Sequence, residues 1–260
     1  MLVGEKTLVK KEDPLLDRLL YRITYVYIAT FDIGTKNHAY YVERTIAEVF
    51  FRLEKAYLSL PKAVQGKVKL RDNKAVAKIL NDLYLSGERV SMGVHDIRSI
   101  REKNAVLDNA TRLNLFTHLD SLRSLWDKCT FIVIEQQYFS TFLSKGGKRN
   151  PGASGGANVN AIKVAEATLN WFLMNYPGKE IVSFGSQYKT QMLGAPDKLT
   201  KPQRKKWSEQ KAREIFEMRG DEEALLQMQT GKRNKQKQDD VADCVTMMQA
   251  YKYRCILGNF

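Results

Sequence analysis

The chain has 260 residues, 43% hydrophobic and 27% charged, an ordinary globular composition. That excludes a mostly disordered or collagen-like chain, and no stretch approaches the roughly 18 apolar residues of a membrane span. Lys plus Arg is 42 against 29 Asp plus Glu, a formal net charge of +13. An excess that large speaks of anionic partners, nucleic acid first and an anionic membrane surface second.

Cys129, Cys244 and Cys255 are far apart and form no CxxC pair. This argues against a zinc ribbon or a disulfide framework and for a reducing compartment. His38, His95 and His118 form no HxxxH pair and read as ordinary, scattered histidines. The N-terminal stretch MLVGEKTLVKKEDPLLDRLL carries acids and lacks a continuous apolar run. It reads as neither a signal nor a transit peptide, so an intracellular protein of cytoplasm or nucleus is expected, not a secreted one.

In chain order, YVYIATFDI at 25–33 is apolar, rich in β-branched and aromatic residues, and predicts a buried strand ending at Asp32, broken by Gly34. Residues 38–43 predict a returning strand. TIAEVFFRLEKAYLSL and NKAVAKILNDLYL show helical spacing around Pro61 and Gly66, so about 45–88 reads as a helical insertion. VSMGVHDI at 90–97 predicts another strand. Leu115, Leu119, Leu122 and Trp126 recur at three and four residues and predict one helix over 111–126. CTFIVIE is a short apolar run that predicts a central strand ending at Glu135. SKGGKRNPGASGGA at 144–157 reads as a loop. A helix follows over 159–175 and a strand over 181–184. Lys198 to Arg213 holds seven basic residues against the single acid Glu209, and residues 239–254 predict the last helix. Strands alternating with helices predict an α/β fold, a mixed central sheet flanked by helices.

The scarce acids carry the chemical signal. Asp32 and Glu135 each end a predicted central strand, facing a sheet edge where α/β proteins build sites. In QDDVADCV, Asp240 and Asp243 share one face of a first helical turn, beside the apolar stripe Val241, Cys244, Val245 and Met248. Each has a plainer reading: a turn-forming Asp before Gly34, or first-turn acids favoured by the helix dipole behind an Asp239 cap. A lone Glu ending so apolar a strand is harder to dismiss. Four converging carboxylates repel and call for a hard divalent cation, with magnesium the natural choice. Two such ions roughly 4 Å apart activate a water and stabilise the leaving oxygen of a phosphodiester.

FDIGTKN at 31–37, VIEQQY at 133–138 and DDVADCV at 239–245 resemble the three acidic motifs of the RuvC family of Holliday junction resolvases, in the ribonuclease H-like superfamily. The wording is closest to the poxvirus and mitochondrial branches, and RKKWSEQKAREIF at 204–216 resembles the basic helix before the last motif of poxvirus-type enzymes. The resemblance spans roughly 25–44 and 90–254. It implies a ribonuclease H-like domain over 25–260, behind an extension at 1–24 and carrying the insertion at 45–88. Asp32, Glu135, Asp240 and Asp243 would be catalytic residues and ligands of two magnesium ions, with manganese as a stand-in and Asp239 outside the set. Tyr138 matches an aromatic that stacks on junction bases, and either Lys205 or Lys206 a residue on the scissile phosphate. Lys145, Lys148 and Arg149 of the loop, and Arg204 of the basic run, are further candidates for DNA contact. The implied activity is metal-dependent endonucleolytic resolution of four-way junctions by a homodimer, in recombination, repair or viral concatemer processing, with no membrane and no nucleotide cofactor.

Three rivals stand beside it. Another ribonuclease H-like nuclease would use the same acids on a different branched or hybrid substrate. DIGTKN also resembles the first phosphate loop of the sugar kinase and actin superfamily, but that fold needs a second acidic strand before GASGGAN and has no use for the positive charge. The third is a DNA-binding protein without cleavage.

Overall fold

The computed structural model describes residues 25–62, 73–100, 107–137, 159–233 and 238–257. Their strands form one mixed sheet in the order β3-β2-β1-β4-β5. β1 (Tyr25–Asp32), β2 (His38–Ile46) and β3 (Gly87–His95) run antiparallel in sequence. β4 (Phe131–Gln136) and β5 (Glu180–Gly185) add on parallel to β1 at the other edge.

The two-residue period of the strands sorts their side chains between two apolar layers. From β1, Ile28 enters one layer together with Val133 of β4 and Phe184 of β5. Ala29 and Phe31 enter the other, with Ile132 and Ile134. Helices on both sides close these layers, as an α/β sheet requires.

The first face is covered by α1 (Ala47–Leu58), α2 (Lys74–Leu85), α6 (Ser186–Gln191), α7 (Lys201–Arg219), α8 (Glu222–Arg233) and α9 (Gln238–Ile256). α9 packs across β1 and β2. Val241, Cys244, Val245 and Met248 form its buried stripe, and Ala242, Met247, Ala250 and Tyr251 are buried too, so it is a core helix. The second face is covered by α3 (Asn109–Ser121), α4 (Arg123–Trp126) and α5 (Val159–Asn175).

The sequence expectations shift in three places. A single helix was expected over 111–126, but Leu122 (φ −111°, ψ 15°) breaks it into α3 and α4. The break turns Trp126 inward, where its indole N–H donates to the Leu119 carbonyl at 2.9 Å. β2 runs to Ile46, past the expected 43. Its continuation is hidden because Glu43 and Thr45 are polar yet buried. Glu43 accepts from Arg219 Nη1 at 2.8 Å, Lys252 Nζ at 2.5 Å, Gln249 at 2.9 Å and the Tyr41 hydroxyl at 3.0 Å. The insertion is therefore α1 and α2 between two neighbouring strands, with Asn73 capping α2 by accepting from Ala75 N at 2.9 Å.

The third shift concerns the histidines, which are not scattered. His38 stands opposite His95 across β2 and β3. The His118 ring stacks on His95 at 4.2 Å and meets His38 edge-on at 6.0 Å. Burial, reinforced by the neighbouring imidazoles, lowers the pKa of His38 to about 3 and that of His118 to about 4. No described helix is long and apolar enough to cross a membrane.

Candidate active site

The strand period that buries Ile28 and Val133 on the α9 side puts Asp32 and Glu135 on that side as well. β1 and β4 pair Thr30 with Val133 and Phe31 with Ile134, so one further step sets Asp32 beside Glu135. α9 begins over the same strand ends. Its first turn carries Asp239 and Asp240, with Asp243 one turn on. Asp32, Glu135, Asp240 and Asp243 thus line one cleft of about 620 Å³.

Two contacts pin β1 to α9. The Thr30 hydroxyl donates to the Cys244 carbonyl at 3.0 Å, and the Asp32 N–H donates to Cys244 Sγ at 3.1 Å. They set the spacing between the strand acid and the helix acids. Cys244 is buried, and burial holds its thiol well above the usual range, so it serves as a packed acceptor and not as a nucleophile.

The electrostatics follow from burial. Burial first, then the charge of Glu135 and a hydrogen bond to it, raise Asp32 well above the usual carboxylate range. The two shifts run in opposite directions, Asp32 up and Glu135 down, and a hydrogen bond links the two carboxyl groups. Burial works against the Glu135 carboxylate too, but Lys189 and the hydrogen bonds from Asp32, Lys189 and Gln137 outweigh it and keep Glu135 ionised. Asp243 is raised, mainly by burial, although Lys189 opposes the shift and Ser208 donates to it.

Lys189 went unnoticed in the sequence. It lies on α6, only 6% exposed, with Nζ 2.9 Å from Glu135 and 3.6 Å from Asp243. Burial disfavours its charge, but Glu135, Asp243 and Asp32 together overcome this and raise its pKa. The only hint in the sequence was position: SQYKTQ directly follows the strand beside β4.

The basic run becomes α7, opened by a capping box between Thr200 and Gln203. Lys201, Arg204 and Lys205 line the cleft. Lys205 pairs with Asp239, and its Nζ lies 3.9 Å from Asp240. Lys206 points elsewhere and is exposed, so only Lys205 of the two is at the acids. Asp239 is Lys205's partner and does not line the cleft. Trp207 packs against the apolar layer, with Lys211 Nζ 5.9 Å from its ring. Tyr138, Lys145, Lys148, Arg149, Lys235 and Lys237 lie outside the described residues, as do the side chains of Lys232 and Arg233.

The four acids come from three elements and offer oxygen donors only, the donor type that a hard divalent cation prefers. The upward shift of Asp32, raised by burial and then by the charge of Glu135, marks a place where positive charge is wanted. Among the described residues no three His, Cys, Asp or Glu side chains are placed, as they stand, so that together they could hold a metal ion, and the Lys189 ammonium stands between Glu135 and Asp243.

In comparisons with known proteins, the chain is 29% identical over 229 residues to the uncharacterized protein 97L of Invertebrate iridescent virus 3, covering 86% of this chain and 98% of that protein. It is 27% identical over 250 residues to the uncharacterized protein 170L of Invertebrate iridescent virus 6, covering 88% of this chain and 89% of that one. No family model and no solved structure matches.

Proposed function

We propose that this protein is a divalent-metal-dependent endonuclease of ribonuclease H-like fold that resolves four-way DNA junctions as a homodimer. The observation that carries the reading is the convergence of Asp32, Glu135, Asp240 and Asp243 in a cleft whose other charged walls are Lys189, Lys201, Arg204 and Lys205. A site with acids and one lysine at its floor and further bases at its rim suits a polyanion that must be both gripped and hydrolysed. The sheet order, three antiparallel strands followed by two parallel ones, supports the ribonuclease H-like reading, as does an acid at the end of β1, another on β4 and a pair on the last helix.

Asp32, Glu135, Asp240 and Asp243 would hold magnesium, or manganese in its place. The bound cation would lower the pKa of a water and offset charge on the phosphodiester. The chain's own groups do the rest. Lys201 and Arg204 draw the backbone into the cleft, Lys205 restrains Asp239 and Asp240, and Ser208 orients Asp243 by its hydrogen bond. Two copies related by a two-fold axis would present two such clefts to the two symmetric strands of a junction. A viral role in processing replicated or recombined DNA accords with relatives in two iridescent viruses.

The test uses a labelled four-way junction with magnesium or EDTA, the native chain and Asp240→Asn. Paired symmetric nicks are expected only with native protein and metal, and the variant should still bind. Equal cleavage of linear or hybrid duplex would keep the nuclease and remove the junction selectivity. Binding without any cleavage in magnesium or manganese would reject the nuclease reading.

A further inference from the structure

Lys189 is a cation built into the floor of an acidic cleft. It is 6% exposed and 2.9 Å from Glu135 and 3.6 Å from Asp243. A buried ammonium needs such partners, and buried carboxylates need it equally. Its two partners are also two of the four acids assigned to the divalent cation. One oxygen of Glu135 cannot serve both at full strength, and an ammonium beside a divalent ion is repelled by it.

Lys205 differs. It approaches from α7, its side chain is 34% exposed, and its closer partner is Asp239, which does not line the cleft. Lys189 alone among the described basic residues lies within 4 Å of both Glu135 and Asp243.

We propose that Lys189 is the internal counter-cation of this site, neutralising Glu135 and Asp243 before metal binds, and that it competes with the divalent cation for them and so sets the metal affinity. The inference rests on the metal-dependent reading above. The competition keeps the cleft folded without metal and weakens metal binding. An entering ion must push the ammonium aside, toward the open part of the cleft where a phosphate would sit.

The experiment needs no DNA and no turnover. Native protein, Lys189→Met, Lys189→Gln and Lys189→Arg are stripped with EDTA, then titrated with magnesium by calorimetry and by thermal denaturation. The Met and Gln variants should melt lower than native in EDTA and bind magnesium at least about tenfold tighter, equivalent to about 1.4 kcal/mol. The Arg variant should bind it about as weakly as native. A neutral variant that does not fold in EDTA should be rescued by magnesium. Folded Met and Gln variants that bind magnesium no tighter than native would overturn the proposal, as would failure of magnesium to rescue them. These results would leave the metal site standing, provided native protein binds the ion. If neither magnesium nor manganese binds native or any variant, the metal-dependent reading falls, and this proposal with it.

Discussion

His38, His95 and His118 are separated by dozens of residues, yet strand register and one helix bring them into a single imidazole cluster, a stacked pair with the third ring edge-on. His38 is fully buried, against Phe31 and with Nε2 3.4 Å from the Thr168 hydroxyl. Its pKa falls from 6.5 to about 3, so the folded chain refuses a proton that the unfolded chain takes. Stability from this group is therefore intact above pH 6.5 and lost as the pH falls below it, down to the folded value. Between pH 6.5 and 4.5 the loss from His38 alone should be about 2 kcal/mol. Urea denaturation across that range should show a shallower decline for His38→Gln than for native protein. Equal slopes would mean that the imidazole cluster does not control acid sensitivity. Glu43 makes the opposite kind of prediction. Among the described residues it is the one carboxylate hydrogen-bonded to both Arg219 and Lys252; Glu43 and Lys252 are buried, and the Arg219 side chain is nearly so. Glu43→Gln would leave two cations facing each other and should cost about 3–5 kcal/mol in denaturant unfolding at pH 7. A cost under about 1 kcal/mol would show that the cluster relaxes to admit water. Neither site was readable beforehand. The histidines lack a local spacing, and Glu43 looks like a solvated strand residue until Arg219 and Lys252 arrive from two distant helices.

Among the elements, those with a strong local signal were legible, and those shaped by packing were not. YVYIATFDI and CTFIVIE are apolar on both faces, so both read as central strands, and the acids ending them stood out. The helix at 239–254 was equally plain, and its Asp240 and Asp243 do lie at the rim of the core, lining the cleft. α6 was missed because SQYKTQ has no apolar period, and with it went Lys189. The helical spacing of the insertion is plain in the sequence, but not which surface it covers. α1 and α2 bury Leu53, Tyr57, Val76, Ile79, Leu80, Leu83 and Tyr84 in the same apolar layer as α9. The Lys252 ammonium also donates to the Leu83 carbonyl at 3.2 Å. This pair of helices is thus part of the core wall. Leu83→Ala should cost about 2–5 kcal/mol, like any central core truncation. Chemical denaturation measures it, and a value below about 1 kcal/mol would make the pair a peripheral cap.

At the scale of the molecule, a net charge of +13 coexists with a cluster of acids lining one cleft. The two are compatible only if they do different jobs. The acids are offset locally by Lys189, beside Glu135 and Asp243, and by Lys205, beside Asp239 and Asp240, leaving the remaining basic residues to act outward. Lys201 and Arg204 are exposed at the cleft mouth and face the approach that a phosphate backbone would take. Under the nuclease reading, junction binding in EDTA should weaken linearly in log affinity against log salt, with a slope of about 0.9 per phosphate neutralised. Arg204→Ala should lower that slope by about 1 and weaken binding to every DNA sequence alike, because a phosphate contact carries no base information. Asp240→Asn should leave the slope unchanged or raise the affinity slightly, since it removes negative charge from the floor of the cleft. Fluorescence anisotropy with a labelled junction between 50 and 300 mM salt (roughly the range over which such contacts are screened) would measure all three chains. A salt-independent affinity, or an Arg204→Ala slope equal to native, would mean that the backbone does not enter by α7. The acids would then need a different anion to explain the basic wall around them.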